Sequence, residues 1–425
     1  MKLTKDDLRM LNGEMGPGRQ RSMDFLVKMG EAFGAEEMSN ANSAHIHGAM
    51  PLDYLEELTE GVSATDVFAT THANPNPCGI DPEGCQRIGI PENYDIYEYI
   101  RGGNSPEEVL NIYRKLGYMV THTCTPFFAG NIPRVKSTFT WCGSSGQVLA
   151  NSWFGAYGNR DSVPFNIAVT VTNRIPLMGF ALKKNRYAKI IAKVEGMDLS
   201  RFSDADWGAL GYCLGSIAGK ETVVIDGLPK SLDLDQFRVI TSALPVSGGV
   251  CLFHAVGVTP EAPTLKAAVG RRKPSIETKI TKKDIEHAYE QLTTSIGSDV
   301  DLIAIGCPHC SVRELKRITE LLAGKKVSPN VRLLIAAYRG VWELAKMMGY
   351  TNVIKKAGGV LTDTCVGSQN PFIILGVHAG IKVIATNSTR ANHYIIRESN
   401  KRIKSLYGSL EDCIEAAVSG RWKWR

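Results

Sequence analysis

The sequence predicts an α/β protein built on mainly parallel sheets, and three features carry that expectation. Short apolar runs such as Asp301-Leu302-Ile303-Ala304-Ile305 and Val331-Arg332-Leu333-Leu334-Ile335-Ala336 are strand-sized and bounded by turn residues. Amphipathic segments with helix-start signals lie between them, as at Ser311–Leu322 and Val341–Met348. The 41 glycines supply the many turns that such alternation needs. Strands alternating with helices specify a parallel sheet covered on both faces, and in such sheets ligands bind beyond the carboxyl ends of the strands.

Along the chain, Thr4 and Asp7 form a capping box ahead of Leu8, Met10 and Leu11, so a helix opens the protein. After Gly16-Pro17-Gly18, a second helical period runs from Met23 to Gly34. Residues 43–89 read as loop-rich, with Asn74-Pro75-Asn76-Pro77 enforcing turns and extended backbone. Strands are expected at Asn166–Thr172, Lys189–Val194, Thr222–Ile225 and Val250–Phe253, with helices between. The charged stretch Pro274–Lys283 reads as a crossing linker. Short strands at Gly359–Leu361 and Ile381–Ala385 complete the last third.

A chain of 425 residues exceeds one ordinary core, so two or three domains sharing a cleft are expected. The 49 basic and 43 acidic residues are dispersed, which argues against a nucleic-acid partner. The basic groups Arg271-Arg272-Lys273 and Arg421-Trp422-Lys423-Trp424-Arg425 read as solvated surface or a partner contact. No apolar leader follows Met1-Lys2-Leu3-Thr4, and long apolar runs such as Phe372–Val377 are strand-sized, far short of the ~20 residues of a membrane helix. A cytoplasmic protein without membrane contact is expected, its ten cysteines serving as thiols or metal ligands.

Three cysteines stand in Gly/Pro/Thr-rich turns: Thr123-Cys124-Thr125-Pro126, Gly306-Cys307-Pro308-His309 and Asp363-Thr364-Cys365. At a strand's carboxyl end beside a helix start, a cysteine gains thiolate character, and thiolates ligate iron–sulfur clusters. Spacing alone leaves these three open between ligation and core filling. Cys213, Cys251 and Cys413 lie in periodic apolar stretches and read as core, and Cys310 as pointing away from Cys307. No paired C-x-x-C motif supports a zinc ribbon.

These segments, in this order, resemble the aconitase X family. The resemblance runs from Ser43-Ala44-His45-Ile46 through Asn74-Pro75, Cys124, Gly130-Asn131-Ile132-Pro133, Ser144-Ser145, Ala150-Asn151-Ser152, Asn159-Arg160 and His254. It continues through Cys307-Pro308-His309 and Asp363-Thr364-Cys365 to Ala385-Thr386-Asn387-Ser388 and His393-Tyr394, collinear over about 350 residues.

The resemblance implies an aconitase-like fold of three α/β domains around a central cleft, with the swivelling domain of aconitases absent. Residues 1–285 are expected to hold two interleaved domains, and 286–425 a doubly wound domain. It further implies a hydro-lyase that removes water from a small hydroxy acid, phosphomevalonate or 3-hydroxyproline among the candidates. Cys124, Cys307 and Cys365 would hold an iron–sulfur cluster, four-iron rather than two-iron, with one iron left open to a hydroxyl. His309, His45, His254 and Ser388 are the acid/base candidates, and Asn74, Asn131, Ser144, Ser145, Asn151 and Arg160 the substrate contacts. Hydrogen-bonded structural roles remain the alternative for His45 and His254. A separate small swivelling-domain subunit is the implied partner. An aconitase-type isomerase and a non-catalytic cluster protein are the alternative readings. Departures from the family pattern at Cys142-Gly143, Tyr157-Gly158 and Arg390 put the substrate in question, and Cys142 is a further candidate for the metal site.

Overall fold

Among the described residues, thirteen of fifteen strands form three successive parallel sheets, with helices between them, in the computed structural model, which describes residues 1–47, 51–65, 71–74, 106–363, 366 and 380–424. The strands are β1 (Met38–Ser39), β2 (Ser43–His47), β3 (Thr71–Asn74), β4 (Met119–Val120), β5 (Phe139–Trp141), β6 (Ile175–Pro176), β7 (Ile190–Val194) and β8 (Val223–Asp226). They continue with β9 (Phe253–Ala255), β10 (Ile276–Ile280), β11 (Leu302–Cys310), β12 (Arg332–Ala337), β13 (Val360–Thr362), β14 (Val383–Thr386) and β15 (Lys404–Tyr407). The first sheet has the order β4-β3-β2-β5, the second β10-β7-β8-β9 and the third β13-β12-β11-β14-β15. Every pairing within these three is parallel; β1 and β6 form a separate antiparallel pair. Among the described residues, the sheets follow one another along the chain and do not interleave.

Each order winds outward and then reverses, between β2 and β5 in the first sheet and between β11 and β14 in the third. Connections leave the two flanking strands in opposite directions there and open a crevice at the carboxyl ends.

The third sheet shows the physics most plainly. Ile303, Ile305, Leu333 and Ile335 point into one buried cluster, while Leu302, Ala304, Leu334 and Ala336 point into another. This is the two-residue alternation of strands buried on both faces. Ser311 starts the helix Val312–Leu322 with a capping box to Glu314, as its sequence predicts. The capping box at Thr4 and Asp7 likewise opens the helix Lys5–Leu11.

Three expectations are corrected. The run Asn166–Thr172 is not a strand; it belongs to the helix Val163–Thr172, started by Ser162 and Pro164 and ended by Asn173 in the left-handed region. One side of that helix packs with Met23 and Leu26, the other with Ile46 and Tyr113. A helix buried on two sides has no polar face to betray its period. The linker expected at Pro274–Lys283 is an edge strand, β10, followed by the start of the helix Lys282–Leu292. Its charges belong to a mostly exposed edge, where Lys279 pairs with Glu195 at 2.7 Å. The strand expected at Val250–Phe253 begins at Phe253. Among the described residues no helix is long and apolar enough to cross a membrane.

Candidate active site

The site is assembled at the two reversal points. Midway along β11 the backbone turns at Gly306, with φ of +102°. A Cβ there would stand 2.2 Å from the Ala336 carbonyl oxygen of the neighbouring strand, so only glycine lets the chain bring Cys307 over the sheet edge. The β11–β12 register breaks between Ile305 and Cys310, which sends the two thiols apart. Cys307 faces the cluster with Leu334 and Ala336, and Cys310 the opposite core.

Two side chains hold this turn. Arg238, buried on the helix Leu234–Ser247, donates to the Pro308 oxygen at 2.9 Å and the His309 oxygen at 3.1 Å. It also pairs with Glu314 and, at 3.8 Å, with Asp235. Ser388, at the end of β14, donates to the Cys307 oxygen and accepts the Ala391 N–H as cap of the helix Thr389–Glu398.

Cys124 arrives from the first sheet, in the turn after β4, where Thr125 N–H donates to Thr123 Oγ1 at 3.0 Å. Its sulfur accepts the His309 backbone N–H at 3.4 Å and lies close enough to Cys307 for the two thiolates to disfavour each other. Burial, then Cys307, pushes the Cys124 thiol up to about 11; the His309 N–H, Arg390 and Arg238 pull the other way. A free thiol here stays protonated, and a metal that displaces the proton would gain two converging sulfurs, a backbone N–H to one of them and two nearby cations. The donor set fits an iron–sulfur cluster.

His309 is fully buried, and neither ring nitrogen has a hydrogen-bond partner among the described residues. Burial first, then the positive charge of Arg238 and the nearby His122, lowers its pKa to about 4 against the opposing pull of Asp363. The neutral ring can therefore accept a proton at one nitrogen and donate at the other. Asp363 follows β13 and is gripped by Arg339 at 2.9 and 3.0 Å. Cys365 itself lies outside the described residues. Among them, no three potential metal ligands converge.

On the first-domain side, Cys142 and Gly143 follow β5, and the helix Ser144–Ser152 begins. Cys142 N–H donates to the His45 oxygen at 2.7 Å, tying this turn to β2. Arg390 reaches across from the third domain and donates to Ser144 Oγ at 2.9 Å. His45 is buried on β2 with its ring 6.1 Å from that of Trp141, edge to face. Ser145 is buried in the first turn of the same helix.

Other expected site residues lie elsewhere. Asn131 is engaged inside the first domain: its Oδ1 accepts from Ser43 at 2.5 Å and its Nδ2 donates to the Ala44 oxygen at 2.9 Å. Asn151 donates to Gly158 and Cys251 oxygens and accepts from Gly158 N–H and Arg186, so it fastens the first domain to the second. His254 donates to the Arg186 oxygen at 2.7 Å in that same seam, and burial lowers its pKa to about 4. Arg160 is exposed, and its charge is felt at Cys251. Asn74 closes β3, and its side chain lies outside the described residues. Sequence reasoning missed Arg238, hidden in an apolar helix, and Arg339. For Arg390 it noted only a departure.

Comparison with known proteins agrees with this architecture. Models of the aconitase X first, second and third domains match residues 1–184, 188–290 and 300–419. The chain belongs to the aconitase X family. It is 32% identical over 426 residues to the phosphomevalonate dehydratase large subunit of Methanocaldococcus jannaschii, covering 98% of this chain and 100% of that protein. It is 28% identical to cis-3-hydroxy-L-proline dehydratase of Pseudomonas aeruginosa, covering 98% of this chain and 70% of that one. The crystal structure of Thermococcus kodakaraensis aconitase X in its holo-form superimposes with a TM-score of 0.81 at 29% identity, over 98% of this chain and 100% of that one. As an aconitase X protein with named dehydratases for relatives, this chain is a hydro-lyase.

Proposed function

We propose that this chain is the large, catalytic subunit of a cytoplasmic dehydratase. It removes water from a small hydroxy acid with an iron–sulfur cluster held by Cys124, Cys307 and Cys365. The observation that carries the reading is the 3.4 Å bond from the His309 N–H to the Cys124 sulfur, which sets Cys124 of the first domain against the turn of the third that carries Cys307, at reversal points of two parallel sheets. When bound by three thiolates, a four-iron cluster supplies an iron with an open position, a Lewis acid toward a hydroxyl.

The chain's own residues do the rest. Arg238 and Ser388 hold the Cys307–His309 turn by its carbonyls. The buried, neutral ring of His309 can donate a hydrogen bond from its N–H to the departing hydroxyl. Ser144 and Ser145, in a helix first turn, offer hydroxyls and amides to substrate oxygens.

A separate small subunit, supplying the swivelling domain, is part of the proposal. Its support is the "large subunit" name of the relative matched end to end, beside the longer hydroxyproline dehydratase of which this chain spans 70%. Phosphomevalonate and cis-3-hydroxy-L-proline are the first substrates to try. The test is anaerobic reconstitution of the chain with iron, sulfide and the small subunit, followed by a dehydration screen of hydroxy acids. Dehydration that disappears in Cys124→Ala and Cys307→Ala is expected. Dehydration that survives both substitutions would overturn the proposal.

A further inference from the structure

We propose that Asp204, on the second domain, is a positioning residue of the cluster site: it clamps the chain leaving β14 and so sets the Ser388 hydroxyl against the Cys307 carbonyl. This rests on the reading of Cys307 as a cluster ligand and extends it to the domain that supplies none of the three thiols.

β14 and β15 end as a pair, Thr386 beside Tyr407. Two chains leave that end side by side. One runs through Asn387 to Ser388 and the helix Thr389–Glu398, the other through Gly408 to the helix Leu410–Ser419. Asp204, the first residue of the helix Asp204–Ala218, reaches both. Its Oδ2 accepts from Asn387 Nδ2 at 2.5 Å, and its Oδ1 accepts the Leu410 N–H at 3.1 Å. That N–H is one of the amides a helix start leaves without an internal partner, and a carboxylate answers both the hydrogen and the local dipole. The approach depends on Gly208, one turn along the same helix. A Cβ there would stand 2.5 Å from the Tyr407 hydroxyl and 3.1 Å from Thr389 Cγ2, so a side chain would hold the helix off both strand ends.

Asn387 is 9% exposed, and its Oδ1 has no partner among the described residues, so the bond from Nδ2 to Asp204 is what fixes its side chain. The next residue, Ser388, donates to the Cys307 oxygen and accepts the Ala391 N–H at 3.1 Å. Movement at Asn387 is therefore movement at the hydroxyl that holds Cys307. Arg238 grips the same turn by the Pro308 and His309 oxygens. The second domain thus holds the turn twice, directly through Arg238 and by way of Asn387 and Ser388 through Asp204. A plain seam bond would be silent at Cys307, and the seam offers one for comparison. Tyr407 donates to the Ala205 oxygen at 2.7 Å, joining the same two domains one residue from Asp204.

Hydrogen exchange of the reduced, metal-free full chain, followed by mass spectrometry, reads the clamp directly; iron loss from the reconstituted protein reads its effect on the site. Asp204→Ala is expected to speed both exchange at the Ala391 amide and iron loss by about tenfold, the lower end of what a hydrogen bond to a charged group is worth. Asn387→Ala, which leaves the second domain untouched, should do the same and carries the test if Asp204→Ala does not fold. Asp204→Asn should restore most of both, since its amide can accept from Leu410 and donate to Asn387 Oδ1 once that side chain turns over. Tyr407→Phe removes the neighbouring seam bond and should leave both rates near those of the unmodified protein. Unchanged rates in Asp204→Ala and Asn387→Ala, or an equal rise in Tyr407→Phe, overturn the assignment. The two readings fail separately. Faster exchange in a protein that takes up no iron supports the clamp and counts against the cluster alone. Normal iron uptake with exchange unchanged in both variants counts against the clamp alone.

Discussion

Replacing Arg238 with methionine should loosen the turn that carries Cys307 and His309 without touching either residue. The side chain is 2% exposed and belongs to a helix covering the second sheet, yet its donors end on the Pro308 and His309 oxygens of the third. Methionine would leave both carbonyls without that donor, strip Glu314 of its counter-charge and leave Asp235 with Arg313 at 4.0 Å. Breaking a buried ion pair by removing one partner costs about 3–5 kcal/mol. Glu314 and Asp235 are 22% and 21% exposed, so water relieves part of that, and the lower end, about 3 kcal/mol, is expected. The assay is urea unfolding of the full chain followed by circular dichroism. Alongside it, the rate of iron loss from the reconstituted protein should rise in Arg238→Met and rise less in Arg238→Lys. A stability change below about 0.5 kcal/mol, the range of ordinary surface substitutions, with unchanged iron retention would refute the reasoning.

Gly306→Ala forces a Cβ against the Ala336 oxygen in a left-handed backbone conformation; a loss of about 3 kcal/mol and poor iron uptake are expected, read by urea midpoint and iron analysis. His254 and His309, with pKa values near 4 in the fold, should make stability fall on acidification. The unfolded chain takes up protons first below about pH 6.5, so stability is complete above that pH and drains as pH falls toward 4, by at most about 3 kcal/mol per imidazole. Urea midpoints from pH 7 to 4.5 test this, and His254→Gln should flatten the slope; an unchanged slope speaks against it. Arg339→Gln frees Asp363, two residues before Cys365 in sequence; iron content after reconstitution should drop while the urea midpoint stays near that of the unmodified protein.

Much of the third domain was readable because its strands and helices keep different periods and its caps are explicit, as at Ser311 with Glu314. The helix Val163–Thr172 was misread because Ile167, Val169 and Val171 favour strands and its two packed sides leave no polar stripe. Ser162 followed by Pro164 was the available signal. At the site, the turn residues around Cys124 and Cys307 mark two places that the fold brings together, yet nothing in their separation says that they meet. That follows from sheet order, which is set by pairings far apart in sequence. Asn131 and Asn151 looked like substrate contacts because polar side chains in glycine-rich turns serve binding and scaffolding alike. Only their partners, Ser43 and Ala44 for one, Gly158 and Arg186 for the other, separate the two roles. Arg238 was unreadable for the opposite reason, a lone cation in an apolar helix whose partners come from another domain.

The most direct measurement is iron and sulfide analysis with electron paramagnetic resonance on the anaerobically reconstituted chain and its single Cys124→Ala, Cys307→Ala and Cys365→Ala variants. About four irons per chain and a cluster signal that each substitution abolishes are expected. Full iron content and an unchanged signal in any one of the three would contradict a centre held by those thiolates.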